Sequence, residues 1–194
     1  MKKKIDIKTI TGMGVLIAVV IVLQELGSFI RFGPFSISLV LVPIVVGAAL
    51  FGPWAGALLG FIFGLVVIAS GDATAFLVLN VPATLFTCLF KGAAAGFVSG
   101  LIYKHIKNKN VSTIVSAVAA PVTNTGVFLI CCLLFFYSTV TEWGMALGFE
   151  NVGNYLIFGM VGINFIGELL LNIVLAPVII RVINMNDTVH RSMK

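Results

Sequence analysis

In the run Val81–Tyr103, VPATLFTCLFKGAAAGFVSGLIY, one cation, Lys91, stands among uncharged residues. The run is long enough to cross a bilayer core, which takes about 20 helical residues. A charge at the centre of such a helix costs about 3 kcal/mol or more, so it persists where it faces a protein interior or a watery cavity. Two chemistries suit it: an ion pair with Glu168 that locks two helices together, or a polar site for an anionic group. Other polar residues lie at a similar depth. Asn164 and Glu168 are four residues apart and share one helix face. Thr123, Asn124 and Thr125 interrupt the apolar run 112–138. At about 1.5 Å of rise per residue, all these groups fall roughly 15–22 Å below one surface. Three helices thus place hydrogen-bonding groups in one layer, as the floor of a polar pocket would. Asn124 and its threonines serve equally as interhelical glue, at about 0.6 kcal/mol per bond. Above the layer, Gln24, Glu25, Asn80, Asn154 and Tyr155 add polar groups. Phe29, Phe32, Phe35 and Trp143 in the loops offer apolar walls or interfacial anchors.

Other chemistries lack their residues. There is no G-x-x-x-x-G-K-[ST] run, so the chain cannot itself cradle ATP in a P-loop. His105 and His190 fall at the cytoplasmic side, far from any intramembrane serine, which argues against a membrane protease. No His/Cys/carboxylate cluster suggests a metal site, and no cofactor is expected. Cys88, Cys131 and Cys132 lie inside apolar spans and read as small core residues.

The elements that must position these groups follow from composition. The chain is 60% hydrophobic and 10% charged, with a mean hydropathy of +1.16. Soluble domains carry about 25% charged residues, so this is an all-α integral membrane protein; a β-barrel would alternate instead of running apolar. One membrane domain over residues 1–194 is expected, with spans near 9–26, 38–51, 53–70, 81–103, 112–138 and 154–183. The second is short, and Gly52–Pro53 makes a tight hairpin of the second and third. Residues 71–80 form a loop that can re-enter the outer surface, and 139–153 form another. The basic N-terminus MKKKIDIK has no small-residue cleavage site after its apolar run, so it leads into the first helix. Lys2, Lys3, Lys4, Lys8, Lys104, Lys107, Lys109, Arg181, Arg191 and Lys194 fall on one side of this six-helix arrangement, and Arg31 alone falls on the other. That asymmetry puts the N- and C-termini in the cytoplasm. It also explains the net charge of +5 without nucleic acid as a partner.

Glycines recur every four residues at Gly52, Gly56, Gly60 and Gly64, and again at Gly92, Gly96 and Gly100. That spacing lines each set along one helix face and lets another backbone approach. The partner is either the other ladder or a separate subunit. Gly14 and Ala18 form a shorter version on the first span.

These residues resemble a known family. The segment GPFSISLVLVPIVVGAALFGPWAGALLGFIFG (Gly33–Gly64) is similar to the substrate-binding S component of energy-coupling factor (ECF) vitamin transporters. So are FKGAAAGFVSGLIYK (Phe90–Lys104), TNTGVF (Thr123–Phe128) and the N-x-x-x-E-x-x-x-x-x-x-x-x-A-P pattern from Asn164 to Pro177. The resemblance spans nearly the whole chain and is strongest to the pantothenate-type members, then the riboflavin-type. It implies a non-enzymatic subunit of a prokaryotic cell membrane that captures a water-soluble vitamin from outside. It further implies a membrane scaffold subunit and two cytoplasmic ATPases as partners. The family's Ala-x-x-x-Ala surface for the scaffold falls here on Gly14 and Ala18. Toppling of the whole subunit would carry the occupied pocket inward, with Gly27–Ile37 as a lid. The substrate-binding residues expected are Lys91, Asn124, Thr123, Thr125, Asn164, Glu168, Asn80 and Gln24. Two other classes fit the residues: a self-contained secondary transporter using the Lys91–Glu168 pair, and a non-transport membrane scaffold protein.

Overall fold

The computed structural model describes residues 7–28, 31–32, 35–36 and 39–192. Lys2, Lys3, Lys4 and Lys194, and part of the expected lid (Phe29, Ile30, Gly33, Pro34 and Ile37), lie outside the described residues. The described chain is helical apart from one short hairpin. The helices are α1 (Ile7–Ser28), α2 (Leu41–Phe51), α3 (Pro53–Ala69), α4 (Thr74–Leu77), α5 (Val81–His105), α6 (Lys109–Phe135), α7 (Tyr137–Ala146), α8 (Val152–Asn154) and α9 (Gly162–Ser192). A π-helix, Tyr155–Val161, joins α8 to α9. Arg31–Phe32 pairs antiparallel with Phe35–Ser36 in the loop after α1. Among the described residues, four segments are long and apolar enough to cross a membrane: Ile7–Ser28, Val81–His105, Lys109–Phe135 and Asn164–Met185.

The shortest of the main helices lies at the centre. At 11 residues, α2 is about 16 Å long, against a hydrocarbon core of about 30 Å. It packs against α1, α3, α5, α6 and α9, and Leu41, Ile44 and Val45 are fully buried. A helix wrapped on all sides can be apolar all round without facing lipid. It stops at Gly52, whose φ of 97° is open to glycine and strained for other residues. Pro53 then starts α3 with its fixed φ and no N–H to leave unpaired.

The two glycine ladders face each other. A Cβ built on Gly60 would collide with the Gly92 carbonyl, one on Gly56 with that of Gly96, and one on Gly64 with the Cys88 backbone. One on Gly100 would lie 2.5 Å from the Pro53 Cα. With no side chains between them, α3 and α5 meet backbone to backbone, the close approach that drives helix association where lipid is as apolar as leucine. Serines join α5 to α6: the Ser116 hydroxyl donates to the Ser99 carbonyl at 2.9 Å, and Ser112 to the Tyr103 carbonyl at 2.8 Å.

Two expected loops carry helices. Residues 71–80 contain α4, and most of 139–153 is helical in α7 and α8. Phe76 of α4 explains the ordering, because its ring meets those of Phe136 at 5.0 Å, Trp143 at 5.6 Å and Phe128 at 5.8 Å, all edge to face. Trp143 is thus a packing residue against α4. Apolar side chains cover the outside; Phe158, Val174 and Leu134 are each about 70% exposed, as a lipid-facing surface requires.

Candidate functional site

Six helical segments and one turn converge on a polar cavity of about 80 Å3, within a space of about 600 Å3 counted to its open side. About 10–15 Å3 on the first measure holds one water, so the cavity takes several. Gln24 comes from α1, Phe63 and Val67 from α3, Asp72 from the turn before α4, and Lys91 from α5. Asn124, Thr125 and Phe128 come from α6, Val161 from the π-helix, and Asn164, Phe165 and Glu168 from α9.

Local structure delivers each group. On α5, Asn80 caps the N-terminus, its side-chain oxygen accepting from the Ala83 N–H at 3.1 Å. The glycine face then fixes α5 against α3, which sets Lys91 opposite Phe63. Its ammonium lies 5.2 Å from the centre of the Phe128 ring and 5.9 Å from that of Phe63. Aromatic faces attract a cation at this range, by about 0.5–2 kcal/mol. On α9, the i, i+4 spacing carries Asn164 and Glu168 into the cavity and continues to Asn172. The Asn172 amide donates to the Glu168 carbonyl at 2.8 Å.

Burial sharpens the picture. Gln24, Asn124, Asn164 and Glu168 are each at most 8% exposed. The Gln24 amide donates to an Asp72 carboxylate oxygen at 2.8 Å, tying α1 to the α3–α4 turn at the rim. Among the described residues, the Asn124 side-chain oxygen has no hydrogen-bond partner. A buried acceptor left unsatisfied costs about 1–3 kcal/mol, which a donor entering the cavity would recover. One cation and two carboxylates, Lys91 with Asp72 and Glu168, thus share the lining with amides and a threonine. Such a site suits a small molecule with an acidic end and several N–H or O–H donors.

Of the residues singled out by spacing, Lys91, Asn124, Thr125, Asn164, Glu168 and Gln24 meet at this cavity. Thr123 is half-buried and Asn80 exposed; neither is part of the lining, and Asn80 is used as the α5 cap. Asp72 was not singled out, because a lone acid in a turn carries no periodic signal. The apolar walls Phe63, Val67, Phe128, Val161 and Phe165 were not either. Gly14 and Ala18 lie away from the cavity, both exposed on α1.

A family model for the substrate-specific component of ECF transporters matches residues 8–180. The chain is also similar to the "Pantothenic acid transporter PanT" of Lactococcus lactis subsp. cremoris (strain MG1363), at 26% identity over 92% of this chain and 94% of that protein. Sequence kinship along almost the full length thus joins a helical membrane bundle with a polar cavity inside it, and the chain belongs to the substrate-specific component family of ECF transporters.

Proposed function

We propose that this chain is the pantothenate-binding subunit of an ATP-driven ECF importer in the cell membrane. The observation that carries the reading is the cavity in which Lys91 shares the lining with buried amides and with the carboxylates of Asp72 and Glu168. Pantothenate brings one carboxylate for Lys91. Its amide N–H and two hydroxyls are donors for Asn124, Asp72 and Glu168. The similarity to a pantothenic acid transporter points the same way. Riboflavin is the less suitable ligand, because it has no carboxylate to meet Lys91.

In this reading α1, α2, α3, α5, α6 and the π-helix with α9 make six crossings in one membrane domain, with both termini in the cytoplasm. The ATPase activity belongs to partner subunits: a membrane scaffold and two cytoplasmic ATPases. Gly14 and Ala18 are the contact with the scaffold. Both are exposed, and a Cβ at Gly14 would meet nothing within 4 Å, so that face of α1 is open to a neighbouring backbone. Toppling against the scaffold delivers the occupied site to the cytoplasm.

The test is pantothenate binding to the purified chain. At a hundredfold excess over Kd, a ligand of the native state adds about 2.7 kcal/mol of stability, read as a rise in melting temperature. A vitamin panel in which pantothenate gives no shift and another member does would reassign the substrate. ATP-independent accumulation in vesicles holding this chain alone would favour a secondary transporter using Lys91 and Glu168.

A further inference from the structure

Behind the polar cavity lies a second, smaller chamber of about 30 Å3. Val67, Lys91 and Phe128 line both spaces, so the two adjoin across one lysine side chain and one ring. The chamber runs along α5 past Cys88 and Thr87 to Thr84, and Ala73, Phe76 and Phe136 close it. Its volume would hold about two waters, yet a buried water needs two to four polar partners. The chamber offers few. The Thr84 hydroxyl donates to the Asn80 carbonyl and the Thr87 hydroxyl to the Ala83 carbonyl, both at 2.7 Å. Both O–H donors are therefore spent on their own helix. The Phe76 ring is held edge to face by Phe136 and Trp143, so that wall is rigid. A compact aliphatic group fills such a space better than water does.

We propose that this chamber is a specificity subsite that takes a branched aliphatic group of the substrate. The proposal rests on the pantothenate reading, where that group is the pair of methyls on the pantoyl part. The lengths agree. Thr87 lies four residues before Lys91, about 6 Å along the helix. In extended pantothenate the carboxylate and the dimethyl carbon are roughly 7 Å apart, the reach of two backbone residues. With the carboxylate at Lys91, the methyls therefore reach the Cys88–Thr87 part of the chamber. The amide and the secondary hydroxyl between them face the polar cavity, and the terminal hydroxymethyl on the dimethyl carbon turns back toward it.

The experiment compares pantothenate with its analogue lacking the two methyls, by calorimetric titration of the purified chain. Burying two methyls predicts about 15-fold tighter binding for pantothenate. Cys88→Met fills the chamber with a flexible chain, and pantothenate should then fall toward the analogue's affinity. A second readout needs no substitution. Modification of Cys88 by methyl methanethiosulfonate, followed by peptide mapping, should be slowed more by pantothenate than by the analogue at equal occupancy. Equal affinities in the wild-type chain, or equal protection of Cys88, overturn the subsite and leave the pantothenate reading standing. A 15-fold preference undiminished in a folded Cys88→Met chain also overturns it, since the methyls would then bind elsewhere. Binding of neither compound overturns the subsite and the pantothenate reading together.

Discussion

Replacing Lys91 by Met separates the two roles a buried lysine can have, because they predict opposite signs for stability. If Lys91 is a recognition residue, its loss in the empty protein removes the contacts of the ammonium with Phe128 and Phe63, about 1 kcal/mol. It also removes the cost of holding a charge inside the membrane, about 3 kcal/mol on insertion scales. The difference leaves Lys91→Met more stable than wild type by about 2 kcal/mol. Pantothenate binding moves the other way. Losing a buried charge-assisted contact costs about 2–5 kcal/mol, a loss of roughly 30-fold to several thousand-fold in affinity. If Lys91 instead serves to neutralise Glu168, Lys91→Met leaves a buried carboxylate uncompensated and destabilises by about 3–5 kcal/mol. Adding Glu168→Gln should then restore most of that stability. The assay is thermal melting with and without pantothenate, and titration calorimetry, on both single variants and the double variant. Wild-type affinity in a stable double variant would refute the recognition role and leave Lys91 as helix glue.

Asn124→Leu should show a similar opposition. The empty protein gains about 1–3 kcal/mol because a buried unpaired oxygen is gone, while titration should show weaker pantothenate binding. Gly60→Val sets a branched side chain against the Gly92 carbonyl and should destabilise by about 1–3 kcal/mol or more, as overpacking does; a wild-type melting temperature would contradict the backbone contact. Replacing Gly14 and Ala18 together with Leu should abolish ATP-dependent uptake in reconstituted vesicles while ligand affinity stays near wild type. Retained uptake would move the scaffold contact elsewhere. Single cysteines placed near Lys107 should label from the cytoplasmic side and those near Glu150 from outside, and the reverse pattern would sink the six-crossing topology.

Much of the cavity was legible because helix rise is constant. Counting 1.5 Å per residue from a span's end locates a side chain in depth to within a turn, so Lys91, Asn124, Asn164 and Glu168 could be put in one layer before their neighbours were known. Depth leaves rotation about the helix axis open. Thr123 and Asn124 differ by one residue, about 100° of rotation, and only Asn124 turns into the cavity. The glycine ladders carried rotational information for α3 and α5, since a face of glycines must meet a backbone, yet the sequence left two candidate partners for it. Asp72 was out of reach because its meeting with Gln24 joins positions 48 residues apart through a turn without periodicity. The apolar walls were hidden for a reason special to membranes. Phe128 and Phe165 are apolar whether they face lipid or a ligand, so hydropathy cannot tell inside from outside.

The contacts also support the cavity in two different ways. Lys91 and Phe63 ride on helices whose glycines, Gly56, Gly60 and Gly64 among them, bring the two backbones into direct contact. Asn124 rides on α6, joined to α5 by the serine bonds. Groups held this way are preorganised, and a ligand loses little affinity to ordering them. At the rim, Gln24 and Asp72 come from α1 and the α3–α4 turn and are tied by a hydrogen bond. Such a bond contributes about 1 kcal/mol, whereas parting α3 from α5 would undo an entire packed interface. The two sides of the cavity are thus held by different means, backbone packing beneath Lys91 and side-chain bonding between Gln24 and Asp72.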